Sequence, residues 1–276
     1  MKLYIQTNKR QEVAAKISAS SFIKNGFNKE NIFFMRLEDN KYLKNKFGKK
    51  YLRNGKLTTF KNDLQSFTLL RFFAPQMNNF SEKILIIDPD VFAIKNIDNL
   101  NNILSDEDDM CCTFIDGLAR SEVMFVNAKK IRWNFEKIIN DLFNLKIDYK
   151  DLINLKFENQ KKIKKIDKNI FNCHDDFFDN TIFLHTSNRS TQPWKEGLQL
   201  EYDKYSFFAK LKILIKKTFR KSNHNNIFHY TRHPNLKVIK IIKDFYIYGL
   251  KNNIISKNEV DNSIKKKYLS KIFINN

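Results

Sequence analysis

The chain has 276 residues, with 50 Lys and Arg against 30 Asp and Glu, a formal charge of +20. That length accommodates one large α/β domain, alone or with an appendage, and the charge implies attraction to polyanions such as nucleic acid, anionic lipid or phosphorylated substrates. The opening MKLYIQTNKRQ lacks the roughly 7–15-residue apolar core of a signal peptide, and no run of about 18 apolar residues follows, so a cytoplasmic protein that spans nothing is expected. Of three cysteines, Cys111 and Cys112 are adjacent, which argues against a disulfide between them, and no Cys-based zinc site is spelled out.

Lys2 to Thr7 reads as a strand, and Gln11 to Lys24 carries Val13, Ala14, Ile17 and Ser21 at helical spacing, with Gly26 placed to cap it. Asn31 to Arg36 is a second strand, so the opening has the βαβ rhythm of a parallel sheet. Residues 39–58 are polar and Lys-rich and read as a connection holding a short helix. Apolar spacing predicts a helix over Asn62 to Ala74, with Arg71 late in it and Pro75 closing it. An arginine there has a fork of donors suited to a diphosphate.

Ile84 to Ile87 is a short run of apolar, mostly β-branched residues, the pattern of a strand buried on both faces. Asp88, Pro89 and Asp90 follow at once. Side chains alternate in an extended chain, so the two acids point the same way with Cα atoms roughly 6.5 Å apart, close enough to serve one cation. Pro89 removes a ladder donor where they emerge. Open α/β sheets bind ligands outside the carboxyl ends of their strands, which makes this pair a candidate metal site.

Further on, Asp98 to Leu104 reads as a short helix, and Met110 to Ile115 and Glu122 to Asn127 as strands, with Asp116 and Gly117 turning between the two strands. Ile131 to Leu145 has helical periodicity, Tyr149 to Asn154 is a short helix carrying Asp151, and residues 156–168 are Lys-rich and expected to be exposed. Thr181 to His185 is a strand ending in an imidazole, followed by a polar loop to Gly197. His185 is a candidate third ligand beside Asp88 and Asp90, and an oxygen and nitrogen donor set of that kind suits manganese.

These stretches together resemble the family 8 glycosyltransferases over about residues 1–200. The resemblance rests on the strand before Thr7 and Asn8, Arg71 before Ala74-Pro75, and Asp88-Pro89-Asp90. It continues through the strand ending at Asn127, Asn172 ahead of an acidic pair, and His185 followed by Pro193-Trp194. It implies a retaining enzyme of the GT-A type: a mostly parallel central sheet with helices on both faces, using a nucleotide sugar and manganese or magnesium. It further implies Asp88, Asp90 and His185 as metal ligands, Thr7 and Asn8 in the nucleotide pocket, and Arg71 at the sugar or diphosphate. Pro89 and Asn127 fall within the same nucleotide-sugar motifs. The family usually has a small residue and Gly where Ser121 and Glu122 stand. It usually has Gly and Lys where Asn188 and Gln192 stand, leaving Arg189 or Lys195 to supply charge to the phosphates. Asp116, Asp151, Asp175 and Asp176 are candidates for binding sugar hydroxyls, Asp151 in a catalytic role.

The expected organisation is a catalytic domain over residues 1–203 and a basic helical region over 204–276. In residues 204–221 a helical wheel gathers Phe207, Phe208, Leu211, Leu214, Ile215 and Phe219 within about 140° of arc, with lysines opposite. That suits either an anionic membrane interface or a helix packed on the domain. Residues 225–276 read as two further helices. The function expected is transfer of a hexose from a UDP-sugar to a saccharide or lipid-linked acceptor, in surface polysaccharide or lipopolysaccharide biosynthesis, at the inner face of the cytoplasmic membrane if the basic helix seats there. A nucleic-acid-binding module without catalysis and a nucleotidyltransferase remain as alternatives, although no nucleic-acid motif supports the first.

Overall fold

Alternation of apolar side chains sorts the central strands onto two faces, and the computed structural model, which describes residues 1–63, 65–201 and 228–275, covers both faces with helices. Strands β1 (Lys2–Thr7), β2 (Ile32–Arg36), β5 (Lys83–Ile87), β7 (Met110–Ile115), β8 (Leu118–Asn127) and β9 (Ile163–Lys165) form a sheet in the order β2-β1-β5-β8-β7-β9. All run the same way except β8, which is antiparallel to both β5 and β7. Leu3, Ile5, Leu85, Ile87, Val123 and Phe125 point to one face, where α1 (Glu12–Lys24) packs through Ala15, Ala19 and Phe22. Tyr4, Ile84, Ile86, Met124 and Val126 point to the other, beneath α4 (Phe135–Phe143) and α5 (Tyr149–Ile153). Each fully buried Leu, Ile or Phe contributes about 1.5–3 kcal/mol, so these two layers carry most of the stability.

Two departures lie in residues expected to form loops. Residues 50–59 form a hairpin, β3 (Lys50–Arg53) and β4 (Lys56–Thr59), beyond a single helical turn, α2 (Lys41–Lys44). Asn54 and Gly55 both take positive φ (52° and 70°), the turn that matches strand twist and that Asn-Gly adopts at low cost. The Lys-rich run 156–168 supplies β9 at the sheet edge, where lysines discourage pairing with another chain.

The helix expected over 62–74 is a 3₁₀ segment, Ser66–Phe72, and Pro75 does not end it but sits in the first turn of α3 (Ala74–Met77), where its missing donor costs nothing. Leu100–Asn102 is likewise a 3₁₀ turn rather than a longer helix.

A second, small sheet places β10 (Cys173–His174) parallel to β11 (Phe183–His185), and β11 antiparallel to β6 (Val91–Ala93); α6 (Lys168–Phe171) precedes it. After residue 228 come three helices rather than two: α7 (Leu236–Lys251), α8 (Lys257–Lys265) and α9 (Lys271–Asn275). Val238, Ile242, Phe245 and Tyr246 of α7 share a core with Val13, Ala14 and Ile17 of α1. The amphipathic stretch 204–221 lies outside the described residues, among which no helix is long and apolar enough to cross a membrane.

Candidate active site

The small sheet brings the distant candidates together. β5 ends at Ile87, and the Asp88 amide makes one further bond to the Glu122 carbonyl (3.0 Å) before the chain turns at Pro89. β6 then leaves the turn and pairs with β11, setting Val91 opposite His185, while the Thr186 amide bonds the Asp90 carbonyl at 3.0 Å. One donor atom each from Asp88, Asp90 and His185 therefore lies within 4.8 Å of the others, with His185 Nε2 3.4 Å from Asp90 Oδ1.

The donor set fits a divalent cation. Asn172 Nδ2 donates to Thr113 Oγ1 (3.3 Å), so its Oδ1 is the atom that accepts from His185 Nδ1 at 2.8 Å. With Nδ1 committed as a donor, Nε2 is the nitrogen that faces the two acids and would ligate a cation once its own proton is displaced, the arrangement by which metal-binding imidazoles are oriented. Gln192 Nε2 donates to Asp90 Oδ2 (3.1 Å) and fixes that carboxylate from outside.

Asp88 is gripped harder. Its Oδ1 accepts from Arg71 Nη2 at 2.7 Å and from Gln6 Nε2. Arg71 is 1% exposed and each of its three nitrogens is bonded: besides Nη2 on Asp88, Nε donates to the Thr68 carbonyl (2.8 Å) and Nη1 to Ser121 Oγ, which in turn donates to the Ile153 carbonyl (2.6 Å). Burial pushes the Asp88 carboxyl up to about 6; the Arg71 charge pulls against that and the Asp90 charge adds to it. For His185 burial disfavours the cation, but the charge of Asp90, its hydrogen bond, and the charges of Asp88 and Glu122 outweigh burial and raise the imidazole to about 9. The carboxylates of Asp88 and Asp90 beside one imidazole make a cation-seeking centre.

A bulge completes the site. β7 pairs Cys112 with Met124 but Thr113 with Arg120, leaving Ser121, Glu122 and Val123 out of that ladder while Val123 still pairs with Ile87 on β5. Bulges re-aim side chains, and this one turns Ser121 to Arg71 and brings Arg120 and Glu122 to the cavity. Arg120 binds Glu122 through Nε (3.0 Å) and Nη2; burial opposes ionisation of Glu122, but the bond and charge of Arg120 outweigh it and hold the carboxyl at about 2. The cavity, of about 240 Å³, lies among Asp88, Asp90, Arg71, Arg120, Glu122 and Arg189. Thr68 and Tyr149, joined through their hydroxyls at 2.7 Å, wall one side, and Arg53 of the hairpin lies 4.7 Å from the Tyr149 ring.

Of the residues expected from sequence, Asp88, Pro89, Asp90, Arg71, His185 and Arg189 border this cavity. Thr7 and Asn8 are fully buried and are not among the described residues lining it; Asn8 Oδ1 accepts from the Arg10 and Gln11 amides in the turn before α1, and its Nδ2 donates to the Asp63 carbonyl at 2.8 Å. The residue of β1 that touches the site is Gln6, one position earlier.

Asn127 sits at the other end of the sheet. β8 runs antiparallel, so Asn127 pairs with Lys83 at the start of β5, about 16 Å along the strand from Asp88. It is the beginning of β8 that reaches the cavity. Lys195 is fully buried, its ammonium on Glu201, and is not among the described residues lining the cavity. Asp151 pairs with Lys156 at 2.6 Å on the surface of α5, outside the cavity lining. Asp116 forms the β7–β8 turn at φ 52°, Asp175 accepts from Ser187 Oγ (2.8 Å) and steadies the loop after His185, and Asp176 accepts from Asn235 Nδ2 at 2.7 Å. Sequence reasoning gave no role to Gln6, Arg120, Glu122 or Asn172. Two of them carried a signal: Asn172 as part of the motif ahead of the acidic pair, and Glu122 as a charged residue at the head of an otherwise apolar strand.

Fold and site thus define an α/β protein with a mostly parallel central sheet and a candidate divalent-cation centre at the carboxyl end of β5. Comparison with protein-family models and with curated proteins gave no match. Solved structures similar to the chain include the galactosyltransferase LgtC, determined with donor and acceptor sugar analogues, at 12% identity, 79% coverage of this chain and 96% of that one, and a TM-score of 0.48. GlyE of Streptococcus pneumoniae TIGR4, a glycosyltransferase, is 12% identical over 92% of this chain and 64% of its own, with a TM-score of 0.47. The bifunctional glycosyltransferase WbbM is 11% identical over 71% of this chain, which spans 47% of WbbM, with a TM-score of 0.46.

Proposed function

We propose that the protein is a divalent-cation-dependent glycosyltransferase of GT-A type that moves a hexose from a UDP-sugar to a saccharide or lipid-linked acceptor. The observation that carries this reading is the convergence of Asp88, Asp90 and His185 on one point beside a cavity bordered by Arg71, Arg120 and Arg189. Manganese, or magnesium, would be held by one oxygen of each aspartate and by His185 Nε2. When bound, such an ion stabilises the negative charge that builds on a departing diphosphate.

The protein's own groups prepare that step. Arg71 fixes the Asp88 carboxylate, Gln192 fixes Asp90 and Asn172 fixes His185, so the three donor groups are held side by side where a cation would bind. Arg189 borders the cavity and would supply positive charge to a diphosphate there. Retention of anomeric configuration follows from the family 8 resemblance. A role in surface polysaccharide or lipopolysaccharide assembly, beside a membrane that residues 204–221 would contact, completes the proposal.

The test is a panel of nucleotide sugars incubated with the protein, with and without manganese, following UDP release. Metal-dependent release of UDP from a UDP-hexose, abolished in Asp90→Asn with a native circular dichroism spectrum, is the expected result. Release of pyrophosphate instead would indicate nucleotidyl transfer, and normal turnover in Asp90→Asn would remove the metal assignment.

A further inference from the structure

Arg120 and Glu122 form a second polar pole of the cavity that the cation centre does not use. They stand two apart on β8, flanking Ser121 at the bulge, and both border the cavity. Glu122 is 8% exposed, and its backbone carbonyl receives the Asp88 amide, so this pair is the immediate neighbour of the metal-binding acids. A buried carboxylate placed beside two others carries an electrostatic cost that a purely structural position would avoid with an apolar residue. Its bonding is also incomplete in one direction. Arg120 directs Nε at 3.0 Å and Nη2 onto Oε1, while Oε2 receives only the longer Nε contact of 3.3 Å. Arg120 Nη1 makes no hydrogen bond among the described residues. An acceptor, Oε2, and a donor, Nη1, are thus offered by one ion pair whose two residues border the cavity.

That combination matches a hydroxyl pair on a sugar ring, one hydroxyl donating to the carboxylate and its neighbour accepting from the guanidinium. A diphosphate held at Asp88 and Asp90 leaves its glycosyl group beside them, where Glu122 stands. We propose that Glu122, positioned by Arg120, binds ring hydroxyls of the transferred sugar and sets which nucleotide sugar is accepted. This inference rests on the glycosyltransferase reading above.

The experiment compares kcat/KM for the preferred UDP-hexose and for its singly deoxygenated analogues, in the full chain with manganese. In the native protein at least one deoxy analogue is expected to be about 10–100-fold poorer, the cost of leaving a charged group without its hydroxyl partner. In Glu122→Ala the parent donor falls by a similar factor and the discrimination collapses toward unity, while UDP itself binds no more weakly. Glu122→Gln, which keeps the size and one acceptor, retains part of the discrimination and covers the case in which the alanine variant fails to fold. A native protein that transfers sugar, with both variants discriminating as it does, overturns the proposal and leaves the glycosyltransferase reading standing. A native protein inert toward every nucleotide sugar overturns both.

Discussion

The Nδ1 of His185 donates to Asn172 Oδ1 at 2.8 Å, and this contact decides which ring nitrogen faces Asp88 and Asp90. Removing such a partner from a ligating histidine typically weakens metal affinity 10–100-fold. Asn172→Ala is therefore expected to weaken manganese binding by about that factor, measured by calorimetric titration of the full chain. Asn172→Asp retains an acceptor and should stay close to the native value. Equal affinities in the native protein and the alanine variant would show that the imidazole is oriented by something else.

The same centre should bind its cation in a pH-dependent way. In the metal-free protein the carboxylates around it raise His185 to about 9, so the ring is protonated at neutral pH and a cation must displace that proton. Apparent affinity rises with pH up to about 9, by up to tenfold per unit where one proton is displaced. Near pH 6 the dependence steepens, because Asp88, raised to about 6 by burial, takes up a proton as well. Manganese titrations at several values from pH 5.5 to 9 check this; a flat profile between pH 6.5 and 8.5 contradicts the assignment of His185 as a ligand.

What the sequence made legible follows from which interactions are local. β1, α1, β2, β5, β7 and α4 announce themselves by the period of their apolar residues, and Asp88 and Asp90 by their place at the end of β5. The direction of β8 is a tertiary fact, so Asn127 was assigned to the site while Arg120 and Glu122, at the other end of the strand, were not. The hairpin over 50–59 did have a local signal in Asn54-Gly55, obscured by the lysines around it. β9 had none: three lysines in Lys161 to Lys164 describe the exposed side of an edge strand and say nothing of its ladder. Gln6 and Gln192 act through single hydrogen bonds across 82 and 102 residues, a relation no spacing rule encodes.

Arg71 is 1% exposed and supports Asp88 from the interior side of the cavity, so its loss should be expensive. Breaking a buried pair by removing one partner costs about 3–5 kcal/mol, because the remaining charge is stranded. Arg71→Met is expected to lose that much stability at pH 8. The sign with pH follows from Asp88. Its carboxyl is already raised by burial, and without Arg71 it rises further, so the variant gains stability relative to the native protein as pH falls and Asp88 is neutralised. Thermal unfolding at pH 8 and pH 5 should show the larger gap at pH 8. A gap that is constant or widens at pH 5 would mean that Arg71 acts through Ser121 and Thr68 rather than through the acid.

The last prediction concerns the C-terminal helices, which the sequence left without a purpose and which pack on α1 behind the site. Gly249 lies inside α7, where replacing glycine by alanine ordinarily stabilises a helix by about 1 kcal/mol. Here an added Cβ would stand 2.5 Å from Ser20 Oγ and 2.8 Å from Ile255 Cδ1. Ser20 cannot swing away freely, because its hydroxyl donates to the Lys16 carbonyl at 2.8 Å. Overpacking of this kind costs about 1–3 kcal/mol, so Gly249→Ala should be neutral to destabilising by up to about 2 kcal/mol despite the gain in helix propensity. Adding Ser20→Ala removes the nearer obstacle, and the double variant should recover part of the loss, a coupling readable from melting temperatures of the four proteins. If Gly249→Ala alone raises the melting temperature, α7 does not dock on α1 at the separation described.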